Sequence, residues 1–223
     1  MELQEIVDRL SENAFLGVPS RGFVDGGREH FIYLLRAGLN PDSKIVDLGC
    51  GVLRVGYWLI HFLDQGCYCG IEPHVGRLEI GTKSILEVET LKAKVPRFDT
   101  NAEFDTSVFG EKFDFFLACS IWTHASKQQV TAMLDSFVRD ATPDGKFLTS
   151  YLPAGWRHPD YQGNSWHGTS HESDAPGCIH HRRRWIKSQC ERRGLAVREL
   201  SRHDPYGQQW LVLKRAGREV ANR

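Results

Sequence analysis

The sequence predicts an α/β fold, a mostly parallel sheet with helices on both faces that ends in an antiparallel strand. Three observations predict it. The segment from Lys44 to Glu72, KIVDLGCGVLRVGYWLIHFLDQGCYCGIE, reads as strand, glycine turn, helix and strand. Short apolar runs then alternate with amphipathic stretches as far as Leu152, the pattern of parallel strands joined by crossover helices. Finally, runs at Leu195 to Leu200 and Gln209 to Lys214 are joined by the short connection Ser201 to Gln208, which suits an antiparallel hairpin at a sheet edge.

The elements follow in order. Met1 to Leu10 has a charged, amphipathic helix pattern. Ala14 to Gly27 is glycine-rich and reads as irregular, a segment that could close over a ligand as a lid on the apolar anchors Phe15 and Phe23. Arg28 to Ala37 is a helix with Phe31, Ile32, Leu34 and Leu35 in its apolar stripe, ended by Gly38. Pro41-Asp42 turns into the first strand, Lys44 to Leu48. Val52 to Leu63 is a helix, and Tyr68 to Ile71 the second strand, with Glu72 at its end. Val75 to Leu91 reads as one helix and Val95 to Phe98 as the third strand. Phe113 to Cys119 is the fourth strand, apolar on both faces and therefore central. Lys127 to Asp140 is a helix with Val130, Met133, Leu134, Phe137 and Val138 inward. Pro143-Asp144-Gly145 turns into the fifth strand, Lys146 to Leu152. Pro153 to Gly177 has no periodicity, and so long a loop in a compact domain is usually functional or mobile. A helix near His181 to Arg193 precedes the hairpin.

Composition bounds the partners. Lys plus Arg equals Asp plus Glu at 28 each, so the overall charge gives no reason to expect nucleic acid or an anionic membrane. The local basic run His180-His181-Arg182-Arg183-Arg184 reads first as the solvated face of a helix. No stretch approaches the roughly 18 apolar residues of a membrane span, and no secretory pattern opens the chain. The cysteines are scattered without zinc-ligand spacing, as free thiols of a reducing cytoplasm would be.

The turn Gly49-Cys50-Gly51 carries the chemistry. Glycine lets backbone approach a ligand with no Cβ in the way, and a following helix aims N–H groups at it. Glu72, 21 residues after Gly51, stands where a carboxylate can accept hydrogen bonds from two ribose hydroxyls. A dinucleotide fingerprint needs a third glycine where Arg54 stands, which argues against NAD or FAD.

Asp47-Leu48-Gly49-Cys50-Gly51 resembles motif I of class I S-adenosylmethionine-dependent methyltransferases, with an acidic residue two before the first glycine. Many members carry a third glycine where this chain has Leu53, although subfamilies reading Gly-Cys-Gly-x-Leu-Arg look similar. The Ser-x-x-Thr-His stretch Ser120 to His124 and the terminal hairpin extend the resemblance to roughly Gly38 to Lys214. It implies a Rossmann-like three-layer sandwich with a seven-stranded mostly parallel sheet and an antiparallel C-terminal strand. The chain then divides as one domain, with N-terminal helices and a lid-like segment over 1–37, the core over 38–214 and a substrate-side loop over 153–177.

The resemblance also implies S-adenosyl-L-methionine as cofactor, held by Asp47, Gly49, Cys50, Gly51, Arg54 and Glu72. Asp99 and Asn101 are the candidates for an adenine contact after the third strand, either of which can instead be a turn residue, and Ser120 would lie beside the cofactor. An alcohol or protonated amine acceptor needs a general base, for which His124, His167 and His171 are the candidates. The simpler reading of His124 is a packed helix-entry residue, and of the others plain surface residues. His158, His167, His171, Cys178, His180 and His181 fall within 24 positions, but too irregularly for a metal site to be expected. The expected acceptor is a small or sugar-like molecule. An RNA or protein acceptor, reached through the basic run, and a non-catalytic cofactor-binding protein are the alternatives.

Overall fold

The computed structural model describes residues 2–14, 16, 20–168, 177–200 and 207–217. The β-branched run after Lys44 forms β1 (Ile45–Leu48), whose four residues are all buried, and it takes an interior place in the sheet. It pairs in parallel with β2 (Tyr68–Ile71) on one side and β4 (Phe113–Ala118) on the other. β3 (Arg97–Asp99) extends the sheet beyond β2, and β5 (Ala141–Pro153) beyond β4, both in parallel. β8 (Gln209–Arg215) runs antiparallel to β5 and to β7 (Leu195–Leu200), giving the order β3-β2-β1-β4-β5-β8-β7. This is the seven-stranded path that the sequence predicts. An eighth strand, β6 (His180–His181), pairs with the end of β5 off that path and is too short to carry a period.

Helices cover both faces. α6 (Lys127–Asp140) starts at a capping box in which Ser126 and Gln129 satisfy each other's backbone N–H. It buries Val130, Met133, Leu134 and Phe137 beside α7 (Arg183–Glu191), against Phe116, Phe147 and Trp122. The other face carries α2 (Ser20–Arg36) and α3 (Gly56–Phe62), where Leu34, Leu59 and Ile60 pack on Leu117 and Trp210. α1 (Leu3–Ser11) sits outside them, its Val7 in a small cluster with Phe23, Val52 and Ile85. Sheet between two helical layers is the three-layer sandwich of the prediction.

Four local expectations are corrected. The glycine-rich stretch is helical from Ser20 onward, so Gly22, Gly26 and Gly27 belong to α2. The reason is close packing: a Cβ on Gly27 would stand 2.3 Å from the Arg54 carbonyl oxygen, so glycine is what lets α2 lie on the turn before α3. Phe23 is fully buried there, whereas Phe15 lies outside the described residues. The helix expected from Val52 begins only at Gly56, because Leu53 has a φ of +64° and no helix passes through a left-handed residue. The helix expected over Val75 to Leu91 is two, α4 (Val75–Ile80) and α5 (Val88–Lys94), separated by a π turn at Gly81–Ile85. Pro143-Asp144-Gly145 does not precede β5 but bulges within it, since Ala141 pairs with Phe113 and Lys146 with Phe115.

Candidate functional site

Parallel strands end together where β1, β2 and β4 stop, and the strand order reverses between β1 and β4, the place where open α/β sheets bind ligands. Gly49 and Gly51 leave β1 with φ of +72° and +58°, a conformation that costs other residues about 1–2 kcal/mol. The N–H groups of Gly49 and Cys50 both donate to the Ile71 carbonyl, at 2.7 and 3.1 Å, which locks the turn to the end of β2. Glu72 is 1% exposed. Its Oε2 accepts the Gly51 N–H at 2.9 Å and its Oε1 accepts the His74 N–H at 2.9 Å. The residues predicted from spacing are therefore joined by a charge-assisted hydrogen bond.

Beside this carboxylate lies a cavity of about 300 Å³. Gly49, Glu72 and Gln129 supply its polar edge. Pro73, His74, Ala102, Phe104 and Trp166 supply walls that are mostly apolar. Trp166 stacks on Phe104, with centroids 6.3 Å apart and planes at 29°, and on His124 at 5.6 Å and 18°. Apolar walls with few polar groups at one end suit a planar, polar-edged ligand.

The other predicted residues divide into those near this wall and those behind it. Asp47 is buried under the turn, where the Tyr68 hydroxyl donates to it at 2.9 Å. Burial, reinforced by the Glu72 charge, pushes its carboxyl from the ordinary 3.8 up to about 7. Cys50 points at the core, its Sγ 2.9 Å from where a Cβ on Gly70 would stand. Arg54 Nη2 donates to Cys119 Sγ at 3.4 Å. The backbone N–H and side-chain amide of Asn101 both donate to Asp99 Oδ1, at 2.8 and 2.7 Å, while its Oδ1 accepts the Asp105 N–H. The pair shapes the loop, and the neighbouring Ala102 and Phe104 face the cavity. Ser120, at φ +59°, accepts from Gln208 Nε2 at 2.9 Å, and its N–H donates to Ser150 Oγ at 2.8 Å. Its side chain ties the end of β4 to the base of β8.

His124 donates through Nδ1 to the His167 carbonyl at 3.0 Å, and the His167 N–H donates to the His124 carbonyl at 2.8 Å. This reciprocal pair seats Trp166 in the wall. Burial holds the His124 ring below its ordinary 6.5. His171 lies outside the described residues. Among the aromatic residues at and after the end of β5, Tyr151 is buried and donates to Gln209 Oε1, Trp156 is 88% exposed, and Trp166 lines the cavity. Among the described residues no group of three His, Cys, Asp or Glu side chains could hold a metal ion. Within the basic run His181 is buried, with Nε2 3.0 Å from the Ala125 carbonyl, whereas Arg182, Arg183 and Arg184 are exposed at the start of α7, the Arg182 backbone N–H donating to Asp160 and Arg183 pairing with Glu199.

Sequence reasoning missed Pro73, His74, Ala102 and Gln129 as wall residues, and His30. Gln129 was legible as the fourth residue of the Ser126-Lys127-Gln128-Gln129 capping box, which fixes it at a helix entry on this side of the sheet. His30 comes from α2 to the end of β4, its Nδ1 3.2 Å from Cys119 Sγ. The His30 and Arg54 charges draw that buried thiol below its ordinary 9.0, against the effect of burial itself.

Asp47 yields a prediction about stability. Its folded-state value lies above its unfolded one, so the folded protein holds the extra proton between pH 4 and 7 and loses stability as pH rises through that window. The move from 3.8 to about 7 corresponds to roughly 4 kcal/mol. Asp47→Asn keeps an acceptor for the Tyr68 hydroxyl and removes the titration. Urea denaturation at pH 5 and pH 8 is expected to show the variant gaining on the wild type at the higher pH. A gap that does not change with pH contradicts the assignment.

The family model described as a methyltransferase domain matches residues 26–200. Among solved structures, the chain is similar to magnesium protoporphyrin IX methyltransferase from Synechocystis PCC 6803 with bound SAM, at 17% identity over 88% of this chain and 81% of that one, with a TM-score of 0.63. It is similar to DesVI from Streptomyces venezuelae at 14% identity over 97% of this chain and 99% of that one, with a TM-score of 0.64. The glycopeptide N-methyltransferase MtfA, complexed with S-adenosyl-L-methionine, matches at 11% identity over 85% of this chain and 94% of that one, with a TM-score of 0.61. At these identities the likeness is one of fold.

Proposed function

The chain belongs to the methyltransferase-domain family of class I S-adenosylmethionine-dependent enzymes, and from that premise we propose that it transfers a methyl group to an oxygen or nitrogen of a small-molecule or sugar-like acceptor. The observation that carries the reading is Glu72, a buried carboxylate joined to the Gly51 N–H at the mouth of the cavity. The residues present fit the methyl donor. A carboxylate with two oxygens suits vicinal ribose hydroxyls, and Phe104, Ala102, Pro73 and Trp166 suit a flat base. Gly49 lines the cavity, and its missing Cβ makes room for the buried Ile121, whose Cδ1 a Cβ would meet at 2.1 Å. When bound, the donor supplies a sulfonium methyl for in-line displacement.

The chain's own contribution is to bind, to exclude water and to handle the acceptor's proton. Trp166 and Phe104 close the apolar side of the cavity. His124 is the leading base candidate, because it is packed against a wall residue and its Nδ1–H is committed to the His167 carbonyl. Nε2 is then the ring's acceptor nitrogen. Burial keeps the ring neutral at pH 7, the form that takes a proton. The acceptor class rests on the neighbours named for magnesium protoporphyrin IX and for a glycopeptide.

Isothermal calorimetry with S-adenosylhomocysteine tests the reading. Saturable binding to one site per chain is expected. No heat at high ligand concentration, from protein shown to be folded by circular dichroism, would sink it.

A further inference from the structure

At the opposite end of the sheet from the glycine turn, four cations converge on one groove. Arg36 comes from the last turn of α2, Lys146 from β5, Arg198 from β7 and Lys214 from β8. They border a cavity of about 340 Å³ floored by Ala196 and Val212, with no carboxylate in its lining. None of the four makes an ion pair with another described residue, although the chain as a whole has as many acids as bases.

The register sharpens the point. Lys146 and Lys214 are direct partners across the antiparallel β5–β8 pair, so their side chains leave the same face side by side. Arg198 is the partner of Val212, which places it diagonal to Lys214 on that face. Like charges directly opposite each other destabilise a sheet. One of the four has an internal partner, since Lys146 Nζ donates to the Ala37 carbonyl at 2.5 Å at the negative end of α2. That helix end accounts for Lys146 and Arg36, but not for Arg198 or Lys214 on the far strands.

We propose that this groove binds a phosphate-bearing anion, the multiply charged end of a small diphosphate or of a polynucleotide backbone. Two guanidinium groups offer planar forks that match phosphate oxygens, and two ammonium groups offer point charges beside them. Four cations are better matched by a multiply charged phosphate than by a single carboxylate. The groove is separate from the glycine-turn cavity, so the proposal stands independently of the methyl-transfer reading.

The test uses the full chain with inorganic pyrophosphate as probe, at constant ionic strength balanced with sodium chloride. Millimolar pyrophosphate is expected to raise the melting temperature of the wild type. In the double variant Arg198→Met, Lys214→Met the rise is lost and pyrophosphate affinity by calorimetry falls at least about tenfold, or about 1.4 kcal/mol. The variant removes repulsion and keeps the aliphatic stems, and an unchanged circular dichroism spectrum reports an intact fold. The single change Arg198→Gln gives the same comparison if the double variant folds poorly. No rise in the wild type, or an equal rise in the variants, overturns the proposal. A single-stranded RNA oligonucleotide separates the sources. Competition with pyrophosphate and a steep salt dependence identify a polynucleotide, whereas pyrophosphate binding without RNA binding identifies a small ligand.

Discussion

Gly49→Ala is expected to abolish S-adenosylhomocysteine binding and to destabilise the fold by about 2–5 kcal/mol. Two costs add. The residue sits at φ +72°, where a side chain is strained. Its Cβ would also stand 2.1 Å from Cδ1 and 2.8 Å from Cγ1 of Ile121, a residue with no exposure and no room to retreat. Gly49 is both a wall of the cavity and the hinge of the turn, so any shift that relieves the clash moves the binding surface. The Ile121→Ala background checks the cause, because it removes both close atoms and leaves only the Cβ at 4.0 Å. Ile121→Ala alone costs a few kcal/mol as a core truncation. In the double variant the two losses are expected to be less than additive, as a relieved clash requires. Strict additivity in urea denaturation would remove Ile121 as the obstacle.

Glu72→Ala is expected to weaken S-adenosylhomocysteine by at least about a hundredfold, more than any other single side-chain truncation in the cavity. The carboxylate has two tasks. In the structure as it stands, it accepts the N–H groups of Gly51 and His74 and so holds the glycine turn against the end of β2. Removing it leaves two donors without that partner, at about 1–3 kcal/mol for each that stays buried. On the proposed reading it also accepts from the ribose hydroxyls. Glu72→Gln separates the two, because the amide keeps one acceptor oxygen but turns an N–H toward one of the backbone donors. The expected order of affinity is wild type, then Gln, then Ala, measured by calorimetry with melting curves alongside. An alanine variant that binds within threefold of the wild type would be incompatible with a carboxylate cradle.

Both predictions concern residues that were legible before any coordinates. A turn with two left-handed residues favours glycine through local sterics, so Gly49 and Gly51 are written locally. Glu72 follows because strand length and helix length fix the distance from the turn to the end of β2. Asp99 and Asn101 show the limit of such reasoning. The loop was found, but which of its side chains faces the cavity depends on their mutual hydrogen bonds. Leu53 is a departure that sequence flags without explaining. The backbone keeps a glycine-like φ of +64° there, and the side chain is housed because Gly56 and Gly81 have no Cβ to meet it, at 3.0 and 2.8 Å.

The sequence by itself determined the α/β order, the antiparallel C-terminal strand, the glycine turn and its acidic partner. Each follows from rules that act over a few residues: apolar period, allowed φ and helix capping. Only the tertiary structure decided that the glycine-rich segment is a helix laid on Arg54, that Trp166 stacks between Phe104 and His124, and that Asp47 is sealed under the turn it was expected to serve. It also decided that four cations from four elements share one groove. These contacts join residues far apart in the chain, and burial and charge proximity become physical quantities only when the distant parts are packed together.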